Sequence, residues 1–183
     1  MKTGLLIIDI QNDYFPGGKA ELHHPLKALE NAQVALKIFR KQRLPVIHVQ
    51  HLSLQEEAGF FLPNTDGVKI HPEVQPLANE YLVQKHFPNS FLQSNLLDLL
   101  QKEQIQNLVV CGMMSHMCIN ATVRAARDFG FQITLLEDAC ATKDLIWNGK
   151  TIPASQLHES FMAALAHMYY ADVVQTDQWL SSQ

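Results

Sequence analysis

The stretch 107-NLVVCGMMSHMCINATVRAARDFGFQITLLED-138 reads as strand, helix, strand. NLVVCG (107–112) is a short apolar run of the kind that makes a fully buried strand. A helix is then predicted to carry Cys118 in its first turn and to run to Phe129, with Ser115 as N-cap and Gly130 as the stop. FQITLLED (131–138) is the next strand. Two strands joined through a helix of this length can pair in parallel, so the stretch predicts a β-α-β unit.

The same alternation continues outward in both directions. Strands are predicted at GLLIID (4–9), LPVIHVQH (44–51), EYLVQK (80–85) and ADVVQT (171–176). Helices are predicted over 25–42, 94–103 and 154–169. The first of these starts at Pro25 and carries Leu26, Leu29, Ala32, Val34, Ala35 and Ile38 on one broad face, and the last spaces Leu157, Phe161, Leu165 and Met168 by four, four and three. Six strands with helices between them predict a three-layer α/β/α, Rossmann-like, doubly wound and mostly parallel sheet. At 183 residues this is one domain, 1–183. The connection 51–79 is much longer than an ordinary β-α link; its Phe60-Phe61 pair predicts a packed loop that covers something.

Composition narrows the function. An apolar fraction of 47% with 17% charged residues fits a globular chain. The net charge of −4, with Lys and Arg scattered, argues against nucleic acid as a partner. The first apolar run ends at Asp9, too short for a signal or membrane segment, and Cys111, Cys118 and Cys140 show no C-x-x-C spacing. A cytoplasmic, reduced setting is therefore expected, without a membrane partner.

In open α/β sheets ligands bind beyond the carboxyl ends of the strands. Three ionisable residues fall there: Asp9 after the first strand, Lys85 at the end of the third, and Cys118 beyond the fourth. A carboxylate following Leu5, Leu6, Ile7 and Ile8 needs a partner charge, which Lys85 can supply. A cysteine in a first helical turn meets free N–H groups that favour its thiolate.

These segments resemble a known family. LLIIDIQNDYF, VQKHFPNSF, VVCGMMSHMCINATVRAARDFGF and LLEDACAT, in this order, are similar to the signature blocks of the isochorismatase-like cysteine hydrolases, a superfamily that includes nicotinamidases and N-carbamoylsarcosine amidohydrolases. The resemblance implies a catalytic triad of Asp9, Lys85 and Cys118. It also implies a cis peptide between Met113 and Met114 after Gly112, and an oxyanion hole from the N–H groups of Met114 and Cys118. Isochorismatase itself lacks the cysteine, so Cys118 points to cleavage of a C–N bond in a small-molecule amide through a Cys thioester. The substrate pocket is expected to take Phe15, His51, Phe60, Phe61, Met114 and His116. Family members are commonly oligomeric, which implies a homodimer or homotetramer.

No metal or other cofactor is expected. The nicotinamidase Asp-x-His pair is missing from VIHVQHLS, and His48 and His51, three apart in a strand, should leave it on opposite faces. With only His71 added, no convergent zinc set results. Two rival readings stay open, a small-ligand-binding α/β module without hydrolase activity and a redox-sensing thiol protein with Cys111 or Cys140 resolving Cys118. The first lacks a G-x-G-x-x-G or Walker loop, and the second leaves Asp9 and Lys85 without a role. His116 as base to Cys118 is disfavoured, because residues two apart on a helix point about 200° apart.

Overall fold

A computed structural model describes residues 1–166 and 169–182. The strands are β1 (Lys2–Ile8), β2 (Val46–His51), β3 (Tyr81–Lys85), β4 (Ile105–Met113), β5 (Gln132–Ala141), β6 (Leu145–Trp147), β7 (Lys150–Ile152) and β8 (Asp172–Val174). The helices are α1 (Pro25–Gln42), α2 (Leu96–Lys102), α3 (Asn120–Asp128), α4 (Ala154–Ala166) and α5 (Thr176–Ser181). Six strands form one parallel sheet in the order β3-β2-β1-β4-β5-β8, and β6 and β7 form a separate antiparallel hairpin. The strand order reverses direction at β1, and the crevice between the ends of β1 and β4 is where this topology opens to a ligand.

Both faces of the sheet are buried, and the side-chain period of two sorts each strand between them. Leu5 and Ile7 of β1 pack with Leu36 and Phe39 of α1 and Trp179 of α5. Leu6 and Ile8 point the other way, into Leu96 and Leu100 of α2, Val123 and Ala126 of α3, and Met162 and Leu165 of α4. Each such side chain taken fully out of water contributes roughly 1.5–3 kcal/mol.

Several boundaries differ from the sequence reading. The buried stripe of α1 is Ala28, Leu29, Ala32, Ala35, Leu36 and Phe39, while Leu26 lies 50% exposed. A true 3.6-residue period excludes Leu26, Val34 and Ile38 from the centre of that face. The predicted 154–169 helix ends at Ala166 within the described residues, and its Met168 lies outside them. The strand predicted over 171–176 is cut to three residues because Thr176 opens α5, where the Asp138 side chain accepts both its N–H and its hydroxyl.

The 51–79 connection is packed, with Phe61, Val68, Ile70 and Val74 buried in the α1-side core. Its end is fixed by Glu80, whose side chain is 4% exposed and accepts from Arg40 Nε at 2.6 Å, His48 Nε2 at 2.9 Å and the Leu77 N–H at 2.9 Å. Burial raises the Glu80 carboxyl, but these hydrogen bonds outweigh it and hold it at about 2. A carboxyl depressed by folding adds stability above its unfolded pKa, and that stability is lost as pH falls through the folded value. Glu80→Gln should therefore lower urea-derived stability at neutral pH by about 1–3 kcal/mol and flatten the loss of stability between the ordinary carboxylate range and pH about 2. An unchanged acid limb would remove Glu80 from that role.

Candidate active site

Strand register brings the ionisable residues to one level. His51 pairs with Lys85 across β2 and β3, and Ile8 pairs with Val49 and with Gly112. Asp9 is the first residue beyond β1 and turns there with φ 52°, its N–H donating to Val49 O at 3.0 Å. Across the crevice, β4 leads through Gly112 into the Met113–Met114 peptide, which is cis. Gly112 has φ 133°, and a Cβ there would lie 1.9 Å from Ile8 O, so only glycine lets β4 pass the end of β1 this closely.

Cys118 does not lie in an ordinary first helical turn. Ser115–Ile119 form a π-helical turn, and α3 begins only at Asn120. Nor does Ser115 cap a helix. Its hydroxyl donates to Ala141 O at 3.3 Å and lies 2.8 Å from His158 Nδ1, which ties the turn to β5 and α4. The N–H groups on either side of Cys118, from Met117 and Ile119, both donate to Met114 O. The extra residue of a π turn re-aims one side chain, here the thiol, toward Lys85.

Lys85 joins the three groups. Its Nζ lies 2.7 Å from Asp9 Oδ2 and donates to Cys118 Sγ at 3.2 Å, to Phe87 O at 3.1 Å and to His51 Nδ1 at 3.0 Å. Asp9 and Lys85 are fully buried and Cys118 is 5% exposed. Burial opposes the charge on Lys85, yet Asp9 and Cys118 outweigh it and raise its pKa. The thiol behaves oppositely to the helix-start expectation: burial first, and the Asp9 carboxylate second, push Cys118 above the ordinary thiol value, with Lys85 pulling it back.

Asp9, His51 and Cys118 each bring a ligand-type atom to within 4.8 Å of the other two. The Lys85 ammonium lies among them, 2.7 Å from Asp9 Oδ2, 3.0 Å from His51 Nδ1 and 3.2 Å from Cys118 Sγ. His48 leaves the opposite face of β2 to reach Glu80, and His71 packs on Phe15 at 4.3 Å between centroids while its Nδ1 accepts the Glu73 N–H. Neither joins the cluster.

The aromatic residues named from sequence separate. Phe61 is buried against Tyr14 at 4.6 Å and lies 5.9 Å from the His51 ring. Phe15 is buried on His71, and Phe60 stays partly exposed beside Tyr14, in the wall of a cleft of about 420 Å³ with Pro16, Gly18 and Leu62. His116 Nδ1 lies 2.6 Å from Thr142 Oγ1, and among the described residues it makes no hydrogen bond to Cys118.

Sequence reading missed the residues that hold this frame. Gln11, fully buried, donates to His51 O at 2.9 Å and accepts the His51 N–H at 2.8 Å. Asp13 accepts the Phe61 and Lys19 N–H groups, and a Cβ on Gly67 would lie 2.1 Å from its Oδ1. Tyr14 is buried so near Cys118 and Asp9 that burial and their charges raise its phenol well above the usual value. The signal was present in QNDY, a polar run directly after a buried strand.

Comparison with known proteins agrees with this architecture. The isochorismatase domain model matches residues 3–178. The isochorismatase family protein YddQ of Bacillus subtilis (strain 168) is 52% identical over 180 residues, covering 98% of this chain and 99% of that one. The crystal structure of an isochorismatase from Pseudomonas putida KT2440 superposes with a TM-score of 0.90 at 38% identity, covering 96% of this chain and 89% of that one. A streptothricin hydrolase of Streptomyces noursei is 30% identical over 141 residues, 77% of this chain and 50% of that protein. Among the described residues no helix is long and apolar enough to cross a membrane. From residue 3 to residue 178, then, the chain belongs to the isochorismatase family.

Proposed function

We propose that this protein is a cysteine-dependent amidohydrolase that cleaves a C–N bond in a small uncharged amide. The observation that carries this reading is Lys85 Nζ standing 2.7 Å from Asp9 Oδ2 and 3.2 Å from Cys118 Sγ, with all three residues buried at the carboxyl end of the sheet. A structural ion pair would not need a thiol as its third member. A relative named as a hydrolase, the streptothricin enzyme, adds support.

In this reading Asp9 takes the thiol proton as Sγ attacks the substrate carbonyl carbon. The negative charge that develops on oxygen is received by the N–H groups of Met114 and Cys118. The tetrahedral species collapses, the C–N bond breaks, and the proton held by Asp9 passes to the leaving nitrogen. A water molecule then gives a proton to Asp9 while attacking the thioester. Release of the acid returns that proton to sulfur. Lys85, 2.7 Å from Asp9 Oδ2, orients the base and stabilises the transient thiolate. Of the aromatic and histidine residues expected at the pocket, His51 and Phe61 stand nearest the triad and are proposed to line it, and the reaction needs no metal. A homodimer or homotetramer and a cytoplasmic location complete the proposal, the latter supported by three unpaired cysteines.

The test is ammonia or amine release from a panel of carboxamides, ureido compounds and lactams. Turnover that survives chelator and falls at least about 10³-fold in Cys118→Ala is expected. Equal turnover in Cys118→Ala would exclude the thioester route.

A further inference from the structure

Lys85 has three N–H protons and four neighbouring acceptors: Asp9 Oδ2, His51 Nδ1, Phe87 O and Cys118 Sγ. An ammonium group carries no lone pair, so at 3.0 Å His51 Nδ1 can only accept, and the imidazole proton belongs on Nε2. The ring is held from three sides. Gln11 clamps its backbone N–H and C=O, Lys85 fixes Nδ1, and Phe61 lies 5.9 Å away, ring to ring. The hydrogen bonds of His51 among the described residues run to Nδ1 and the backbone, leaving Nε2 free, and the residue keeps accessible surface while Asp9, Lys85 and Cys118 are buried. One of its ring nitrogens lies within 4.8 Å of Cys118 Sγ, so a molecule held at the thiol lies beside the His51 ring.

Resting on the amidohydrolase reading, we infer that His51 offers substrate a fixed, neutral Nε2–H donor and so selects uncharged amides with a second hydrogen-bond acceptor beside the scissile carbonyl. A preset donor costs no reorganisation when the substrate arrives. It also discriminates, because a ligand without the acceptor leaves a desolvated N–H unpaired. Burial and the Lys85 charge hold the ring's pKa at about 4, so the donor stays neutral and in one tautomer across the neutral range. A neutral donor gives a carboxylate none of the charge compensation that an arginine would.

Alkylation of Cys118 tests this without turnover. Iodoacetamide places its carbonyl one bond from the carbon that sulfur attacks, where the second acceptor of a substrate would stand; iodomethane reacts in the same way without one. In both reactions the Sγ–C bond forms as C–I breaks, iodide leaves, and the thiol proton is lost. His51→Asn keeps an oxygen to accept from Lys85 but loses the reach of Nε2. The ratio of iodoacetamide to iodomethane rates at Cys118 should fall about tenfold in His51→Asn, the size of one lost hydrogen bond, and recover in part in His51→Gln. An unchanged ratio would overturn the inference, whether both rates stay as they were or fall together, the latter assigning His51 to support of Lys85 alone. Failure of the wild-type protein to turn over any amide would sink the amidohydrolase reading while leaving this ratio in place, so the two failures are distinguishable.

Discussion

Asp9→Asn should abolish amide turnover while making Cys118 easier to alkylate near neutral pH. Loss of a positioned general base is expected to lower kcat about 10²–10⁴-fold. The thiol moves the other way. In the wild-type protein its pKa is raised by burial and then by the Asp9 carboxylate, because ionising sulfur would set a second negative charge beside the first. Asparagine removes that repulsion and leaves the Lys85 ammonium 3.2 Å from sulfur. The midpoint of the alkylation rate against pH should therefore shift downward in the variant. Ammonia release and iodoacetamide labelling at Cys118 across pH 6–11 measure the two effects on one preparation. Turnover retained in Asp9→Asn would pass the base role to another group, His116 first. A midpoint that rose would mean that Asp9 does not carry its charge beside the thiol.

This opposition shows where sequence reading ran out. A cysteine after a strand and before a helix was legible, as were Asp9 and Lys85 at strand ends, because strand periodicity and the crevice rule for open sheets are local and topological. The sign of the effect on the thiol was not. It depends on distances between β1, β3 and the turn after β4, and on burial that leaves Cys118 only 5% exposed, which no linear pattern encodes. The helix-start argument also presumed that Ser115 opened the helix. The chain instead inserts a π turn and spends that serine on Ala141 and His158.

The fold was more legible than its trimmings. The four central strands, β2, β1, β4 and β5, were readable as apolar runs buried on both faces, and the half-exposed edge strands β3 and β8 were readable from the alternation with helices, which left few topologies for them. The hairpin of β6 and β7 was overlooked although LIWNGKTI carries Asn148-Gly149 between two short runs, with φ of 50° and 73° as a two-residue hairpin turn requires. Its strands are only three residues long and Ile146 and Trp147 are 76% and 70% exposed, so the burial signal that marks the central strands was missing. Gln11 and Asp13 escaped for a different reason. Their partners, His51 and Phe61, stand 40 and 48 residues away, and a buried polar side chain is recognisable only with its partners in place.

Lys85→Met should be the most destabilising single change at the site, because it removes one half of a fully buried ion pair while keeping most of the volume. Stranding a buried charge in this way costs about 3–5 kcal/mol. The pH dependence separates this cause from a packing defect. Without its ammonium partner, a buried Asp9 would bind its proton more tightly folded than unfolded. A carboxyl raised in this way favours the folded state below its unfolded pKa and penalises it as pH rises through the folded value. The deficit of the variant, measured by urea unfolding, should therefore shrink as pH falls toward about 4. A pure packing defect would be independent of pH. The double variant Asp9→Asn/Lys85→Met supplies the second check, since removing both charges should recover part of the loss, whereas additive losses would deny that the two residues are coupled. Turnover should be undetectable in both variants. In the single variant no ammonium remains beside sulfur to stabilise the thiolate, and in the double variant no base remains. A protein that gained stability from the double change while losing all activity would show that the buried pair is kept for the reaction rather than for the fold.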